Sequence, residues 1–320
     1  MPVMAKLTMT LFVALLAPLA MLAADLRLGI IGTDTSHVIA FTRAFNGPPG
    51  PEHVAGARVV AAYKGGSPDV ESSRTRVDKF AEELRSEWGV EFVDDIPALC
   101  AKVDAILLES VDGRPHLEQA RAVIAARKPL FIDKPLAATL EDAREIARLA
   151  REAGVPWFST SSLRWSGFVT SLKPHMAEAT GAITWGPGPA EEHHYLDLAW
   201  YAIHPVEMLY ALMGTGCVEV TRTSSENIDV VVGRWNDGRL GTVHALRPRG
   251  GYGAAVFLPK GARTAPEDSA TSYLPLLREV VQFFRTGTPP VPNAETLELF
   301  AFLDAAQRSK EQGGRPVALR

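Results

Sequence analysis

Between residues 26 and 135, short apolar runs alternate with longer stretches in which apolar residues recur every three or four positions. The runs are "LRLGIIG" (26–32), "ARVVAAYKG" (57–65), "VDAILLES" (103–110) and "KPLFIDKP" (128–135). Near-continuous Val, Ile and Leu of this length predict strands buried on both faces. The intervening "SHVIAFTRAF", "VESSRTRVDKFAEELRSEWG" and "HLEQARAVIAAR" carry the helical period, and Val77, Phe80 and Leu84 share one face of the second. "TLEDAREIARLAREAG" adds boundary signals, with Thr139 as N-cap, acids in the first turn and Gly154 as the stop. "VPWFSTSS" closes this half. Strand–helix alternation predicts an α/β Rossmann-like parallel-sheet domain, assigned to residues 25–155 with the boundary inside the connection at 151–165.

The second half changes period. One helix is expected over "YLDLAWYAIHPVEMLYALMG" (195–214), and then "VEVTRTSS", "IDVVVGRW", "LGTVHALR" and "YGAAVFLP" alternate apolar with polar positions. Asn236-Asp237-Gly238 between two of these is a hairpin signal. The helices "SYLPLLREVVQFFRTG" and "NAETLELFAFLDAAQRSKEQGG" follow, the last expected to pack back on the assembly. Residues 156–320 thus read as an α+β domain with an open antiparallel sheet. A ligand is expected where the carboxyl ends of the parallel strands face it.

Composition narrows the class. The 320 residues are 47% hydrophobic and 22% charged, with a formal net charge of −4, and Lys and Arg are scattered. No basic footprint for nucleic acid is present. Residues 1–24 stand apart: Lys6, an apolar run without acids, and Ala23-Ala24 at its close read as a secretory signal peptide of the general export route, predicting a periplasmic or secreted chain. No other segment is long and apolar enough to span a bilayer. Cys100 and Cys217 are the only cysteines and are expected as buried thiols.

The first strand raises a question of chemistry. Counted from Gly32, the dinucleotide fingerprint G-x-G-x-x-G would need glycine at positions held here by Asp34 and His37. Asp34 is expected to add bulk and negative charge where a diphosphate would sit. After the second strand, the position of a ribose-binding acid reads Tyr63-Lys64-Gly65-Gly66-Ser67, in which Lys64 and Ser67 suit a 2′-phosphate. Glu109 adds another acid near the strand ends. The loop Thr33-Asp34-Thr35-Ser36-His37 is rich in donors and acceptors at a helix start. It could hold a polar ligand directly, or Asp34 or Ser36 could cap the helix.

A glycine-turn first strand, "DKP" after a late strand, "GVPWF" after the next helix and "HPVEMLYALMG" before an antiparallel sheet occur in that order. In this the chain resembles the glucose–fructose oxidoreductase / inositol dehydrogenase (Gfo/Idh/MocA) family. The resemblance implies an oxidoreductase acting on a sugar or polyol hydroxyl with NAD(P). Its Glu-Lys-Pro motif is Asp133-Lys134-Pro135 here, so Lys134 would stand between cofactor and substrate. The family's catalytic histidine falls on His204, which would take the hydroxyl proton. The cofactor surface would comprise Gly29, Gly32, Thr33, Asp34, Ser36, His37, Lys64 and Asp133, and Arg164, Trp165 and Asp197 would meet the substrate. The aspartate usual four residues before the histidine is Trp200. No metal is expected. The one spacing that could hold one is His193, Asp197 and His204, with Glu207 near the end of the same face. The weakened fingerprint leaves two further uses of the cleft: a lyase, hydratase or epimerase acting on keto sugars, metal-assisted if at all, or a ligand-binding protein without catalysis. The expected partner is a small carbohydrate, and the open sheet is a candidate face for homo-oligomerisation.

Overall fold

The computed structural model describes residues 24–320, so the expected export segment lies outside the described residues except for Ala24. Among the described residues no helix is long and apolar enough to cross a membrane.

The first half is built from β1 (Leu26–Ile31), α1 (Ser36–Asn46), β2 (Ala57–Tyr63), α2 (Glu71–Arg74), α3 (Val77–Ser86), β3 (Glu91–Val93), α4 (Ile96–Lys102), β4 (Ala105–Leu108), α5 (His116–Ala125), β5 (Leu130–Asp133), α6 (Leu140–Ala153) and β6 (Trp157–Thr160). The six strands are parallel and ordered β3-β2-β1-β4-β5-β6. All four residues of β4, β5 and β6 are buried, as double-faced burial requires. β6 lies beyond residue 155, so the parallel sheet extends past the boundary expected there. The helix expected over 70–89 is broken into α2 and α3, separated by Thr75 and Arg76. α6 starts and stops where its signals place it. The Thr139 hydroxyl accepts from the Asp142 N–H at 3.0 Å, and Gly154 closes the helix at φ +65°, a left-handed conformation that glycine adopts without penalty.

The second half comprises α7 (Gly167–Thr170), β7 (Gly181–Pro187), α8 (Ile203–Met213), β8 (Cys217–Ser224), β9 (Ile228–Trp235), β10 (Leu240–Leu246), β11 (Gly253–Leu258), β12 (Gly261–Thr264), α9 (Leu274–Thr286), α10 (Asn293–Glu311) and β13 (Val317–Ala318). Its sheet is ordered β12-β11-β7-β10-β9-β8-β13, antiparallel except for β7 beside β10. Burial alternates along β9 and β10, leaving one face covered by α8 and α10 and the other partly open. The helix expected over 195–214 begins only at Ile203. Upstream of it, Asp197–Ala199 is a single 3-10 turn and His193 is outside any helix. α9 crosses back to the first sheet, where Phe283 meets Phe158 edge-on at 4.8 Å. α10 packs on β6, α6 and β8. Cys100 and Cys217 are both buried free thiols, and burial pushes them up to about 11 and about 12.

Two buried polar clusters tie separate segments together, one within each half. On β8, Arg222 is 2% exposed and holds Asp197 through two hydrogen bonds of 2.6 and 2.9 Å, and Asp229 at 3.0 Å. At the end of β1, Gly32 has φ +85°, and a Cβ there would lie 2.6 Å from the Ser110 Cα, so only glycine permits this approach to the chain after β4. Two residues on, the fully buried Asp34 accepts from the Ser73 hydroxyl at 2.6 Å and the Val111 N–H at 3.0 Å. It ties the first turn to α2 and to the loop after β4.

Both clusters make testable demands. Arg222→Ala should cost about 3–5 kcal/mol, the cost of breaking a buried ion pair from one side. Although burial alone would raise them, Asp197 and Asp229 are held below the ordinary 3.8, chiefly by Arg222 and by Arg247 respectively. Stability from depressed carboxylates is present above that value and lost as pH falls beneath it. Denaturant unfolding should therefore show the deficit of Arg222→Ala shrinking between pH ~7 and ~3. An unchanged deficit would refute the ion-pair account. Asp34→Ala should lose about 1–3 kcal/mol through the unpaired Val111 N–H and Ser73 hydroxyl, and Asp34→Asn, which keeps an acceptor, should lose less.

Candidate active site

Strand order reverses between β1 and β4, so the connections leaving their carboxyl ends diverge to opposite faces and leave a crevice. A cavity of about 470 Å³ opens there, closed on the other side by residues of the second half. Its floor on the Rossmann side is the first turn of α1, Thr35, Ser36 and His37, together with Lys134 just after β5. Thr35 caps α1, its hydroxyl accepting from the His37 N–H at 3.4 Å. The facing wall carries His204 in the first turn of α8, with Tyr201, Tyr252 and Tyr273 around it.

The histidines and carboxylates form a layered set. The Asp133 carboxylate lies 2.7 Å from His37 Nδ1 and 3.7 Å from Lys134 Nζ. Burial would raise Asp133, but the neighbouring His37 and Lys134 charges and hydrogen bonds hold it well below the usual carboxylate range. The His37 ring stacks on Phe41 at 5.3 Å and meets the edge of Tyr273 at 4.8 Å, so its orientation is fixed by packing. Burial also pushes Tyr273 up to about 12, keeping its phenol protonated. His204 Nδ1 pairs with the Ser161 hydroxyl at 2.7 Å, and Nε2 has no protein partner among the described residues. Burial first, then the charges of Lys134 and His37, lower His204 well below 6.5, so its imidazole is neutral at neutral pH. Such a ring can accept a proton from a substrate hydroxyl, and the Lys134 ammonium can hold the same oxygen.

Several residues expected at the site stand elsewhere. Asp34 faces inward as described, so it puts no charge in the cavity. Gly29 is inside β1, where a Cβ would press on Ile106 and Leu99 at 3.0 Å, so it is a packing residue. The Thr33 hydroxyl is used by the carbonyls of Lys64 and Val77 at 3.2 and 3.1 Å. The Lys64 side chain pairs with Asp78 on the surface, outside the cavity. Arg164 is buried behind the wall, paired with Glu207 and with Glu295 at 2.6 Å, while Trp165 packs under α9. Neither lines the cavity. Asp197 belongs to Arg222 and Lys310, and His193 to Glu191 at 2.6 Å, so His193, Asp197 and His204 do not converge. Glu207 is spent on Arg164 and Thr160.

Some lining residues were not read from the sequence. Tyr201, Tyr252, Tyr273, Arg76 and Glu191 face the cavity with no motif to mark them. Tyr201 alone had a signal, lying three residues before His204 next to Trp200.

Comparison with known proteins agrees with this architecture. Residues 26–161 match the family model described as an oxidoreductase family with an NAD-binding Rossmann fold. An inositol 2-dehydrogenase of Paracoccus denitrificans is 37% identical over 164 residues, which span 49% of this chain and 43% of that protein. Among solved structures, a probable dehydrogenase from Thermotoga maritima superposes with a TM-score of 0.74 at 22% identity, covering 92% of this chain and 99% of its own. The myo-inositol dehydrogenase of Lactobacillus casei, solved in complex with NAD(H) and myo-inositol, gives 0.72 at 16% identity, covering 92% and 97%. The strand order, the Asp133-Lys134-Pro135 turn and the match across residues 26–161 together assign the first half of this chain to the NAD-binding Rossmann fold of the Gfo/Idh/MocA oxidoreductase family.

Proposed function

We propose that this protein is an NAD(P)-dependent oxidoreductase acting on a secondary hydroxyl of a sugar or polyol. The observation that carries the reading is that Lys134 and His204, from different halves of the chain, line one cavity at the switch point of the parallel sheet. The inositol dehydrogenases among its relatives support the substrate class.

The residues present are compatible with a dinucleotide. The Gly32 turn is retained, the Asp34 carboxylate is buried away from the cavity, and the first turn of α1 borders it. Thr35 and Ser36 at that helix start would take the phosphates, and Arg76 on the same wall would complement their charge. The bound nicotinamide would supply the hydride acceptor. The chain's own residues do the rest. Ser161 fixes the His204 ring through Nδ1, leaving Nε2 to take the hydroxyl proton. Lys134 hydrogen-bonds the substrate oxygen and steadies the negative charge that grows on it. The tyrosines at 201, 252 and 273 present ring faces and edges that shed water from the sugar.

Two measurements test this. Absorbance and mass analysis of the purified chain, with titration of NAD and NADP, should reveal nucleotide binding. Turnover of inositols and aldoses should appear as reduced nicotinamide. Lys134→Ala and His204→Gln should each lower kcat/KM by about 10²- to 10⁴-fold with the thermal midpoint nearly unchanged. Normal turnover by Lys134→Ala would remove the assignment, and a chain that binds neither nucleotide would remove the redox reading.

A further inference from the structure

We propose that His37, Glu109 and Asp133 form a binding site for one divalent transition-metal ion, of the zinc or manganese class, at the floor of the cavity. The inference goes beyond the oxidoreductase reading and does not depend on it.

Convergence is the first observation. His37 comes from the first turn of α1, Glu109 from the residue after β4, and Asp133 from the end of β5. Each offers a donor atom, and the three atoms lie within 4.8 Å of one another. Ligands bound at about 2.1 Å to one ion stand about 3–4 Å apart, so closure needs movements of about an ångström or less. All three residues stand at the carboxyl-end side of the parallel sheet, where α1 begins and β4 and β5 end.

The second observation is independent of the first. Glu109 has no solvent exposure, and neither of its carboxylate oxygens has a hydrogen-bond partner. A buried carboxyl with both oxygens unpaired is costly, and folded proteins tolerate few. Among the described residues no neighbour donates a hydrogen bond to it: the Ser110 hydroxyl donates to Gln119 instead, and Asp133 is a second carboxylate beside it. The only nearby ammonium, Lys134, stands 3.7 Å from Asp133. A divalent ion would satisfy Glu109 and offset both carboxylates together.

Donor chemistry selects the ion. Imidazole suits zinc and iron over magnesium or calcium, and the two carboxylates suit zinc and manganese. The His37 ring is already held by Phe41 and Tyr273, the kind of outer support that orients metal-bound histidines. Three protein ligands leave coordination positions free. Because His37 and Lys134 both line the cavity, a substrate hydroxyl or carbonyl oxygen is the fitting further ligand. Such a ligand would become more acidic, and its proton would pass to His204 Nε2, with no bond to carbon altered.

The test is binding, read without substrate or nucleotide. Chelator-stripped protein titrated with zinc and with manganese should take up one ion per chain by calorimetry and elemental analysis, with a rise in thermal midpoint. Glu109→Gln and His37→Ala should each weaken binding at least about tenfold and abolish the thermal rise, and His193→Ala should change neither. If Glu109→Gln does not fold, the His37→Ala comparison decides. Wild-type protein that takes up no stoichiometric ion, or Glu109→Gln binding as tightly as wild type, would overturn the site and leave Glu109 as a neutral buried carboxyl. A chain that binds metal but no nucleotide would uphold this inference while removing the oxidoreductase reading, and the reverse pattern would do the opposite.

Discussion

The reversal of strand order between β1 and β4 is the constraint on which the site depends. Connections that leave the two strands on opposite faces cannot both cover the carboxyl ends, so a gap is built into the sheet. Everything chemical in this protein borders that gap. Gly32 and Ser110 set its width by backbone contact, and Asp34 fixes its rim by binding both α2 and the loop after β4. Asp133 then orients His37 from below. The second half contributes a wall whose single lining histidine is kept neutral by burial and by the Lys134 ammonium opposite it. The cavity is therefore a property of the topology, and its chemistry a property of the few side chains at its floor.

Much of this fold was legible from periodicity. The buried strands β1, β2, β4 and β5, the caps of α6 and the β9–β10 hairpin follow from local pattern alone, because apolar runs, capping residues and turn residues mark each of them along the chain. What was missed depends on distant partners. β7, "GAITWGP", has too weak an alternation to announce itself and becomes a strand because β10 and β11 accept it on either side. The helix read across 195–214 begins only at Ile203, and upstream Asp197 pairs with Arg222 on β8, a partner no local pattern announces.

The site divides along the same line. Lys134 and His204 were identified by motif resemblance, and the structure brings both to the cavity. Asp34 shows the limit of spacing: a fingerprint position says where a Cα lies, not where its carboxylate points. Ser73, 39 residues away, turns it inward. Arg164 was expected at the substrate, yet the buried Glu207 and the half-buried Glu295 hold it behind the wall. The tyrosines come from three separated loops and turns, and no local pattern groups residues that only tertiary packing assembles. Glu109 was visible as an extra acid, but its isolation from every donor is apparent only in three dimensions.

The return of α9 and α10 to the parallel sheet has a consequence for biogenesis. Phe158 and its neighbours on that sheet are covered by residues 276–284, more than a hundred positions downstream. A chain emerging from a ribosome therefore cannot cover this face of its first sheet until α9 has appeared. The intermediate would carry an uncovered aromatic surface, the kind that chaperones recognise and that aggregates when they are scarce. The covering of the first sheet on this face is thus supplied by the last third of the chain.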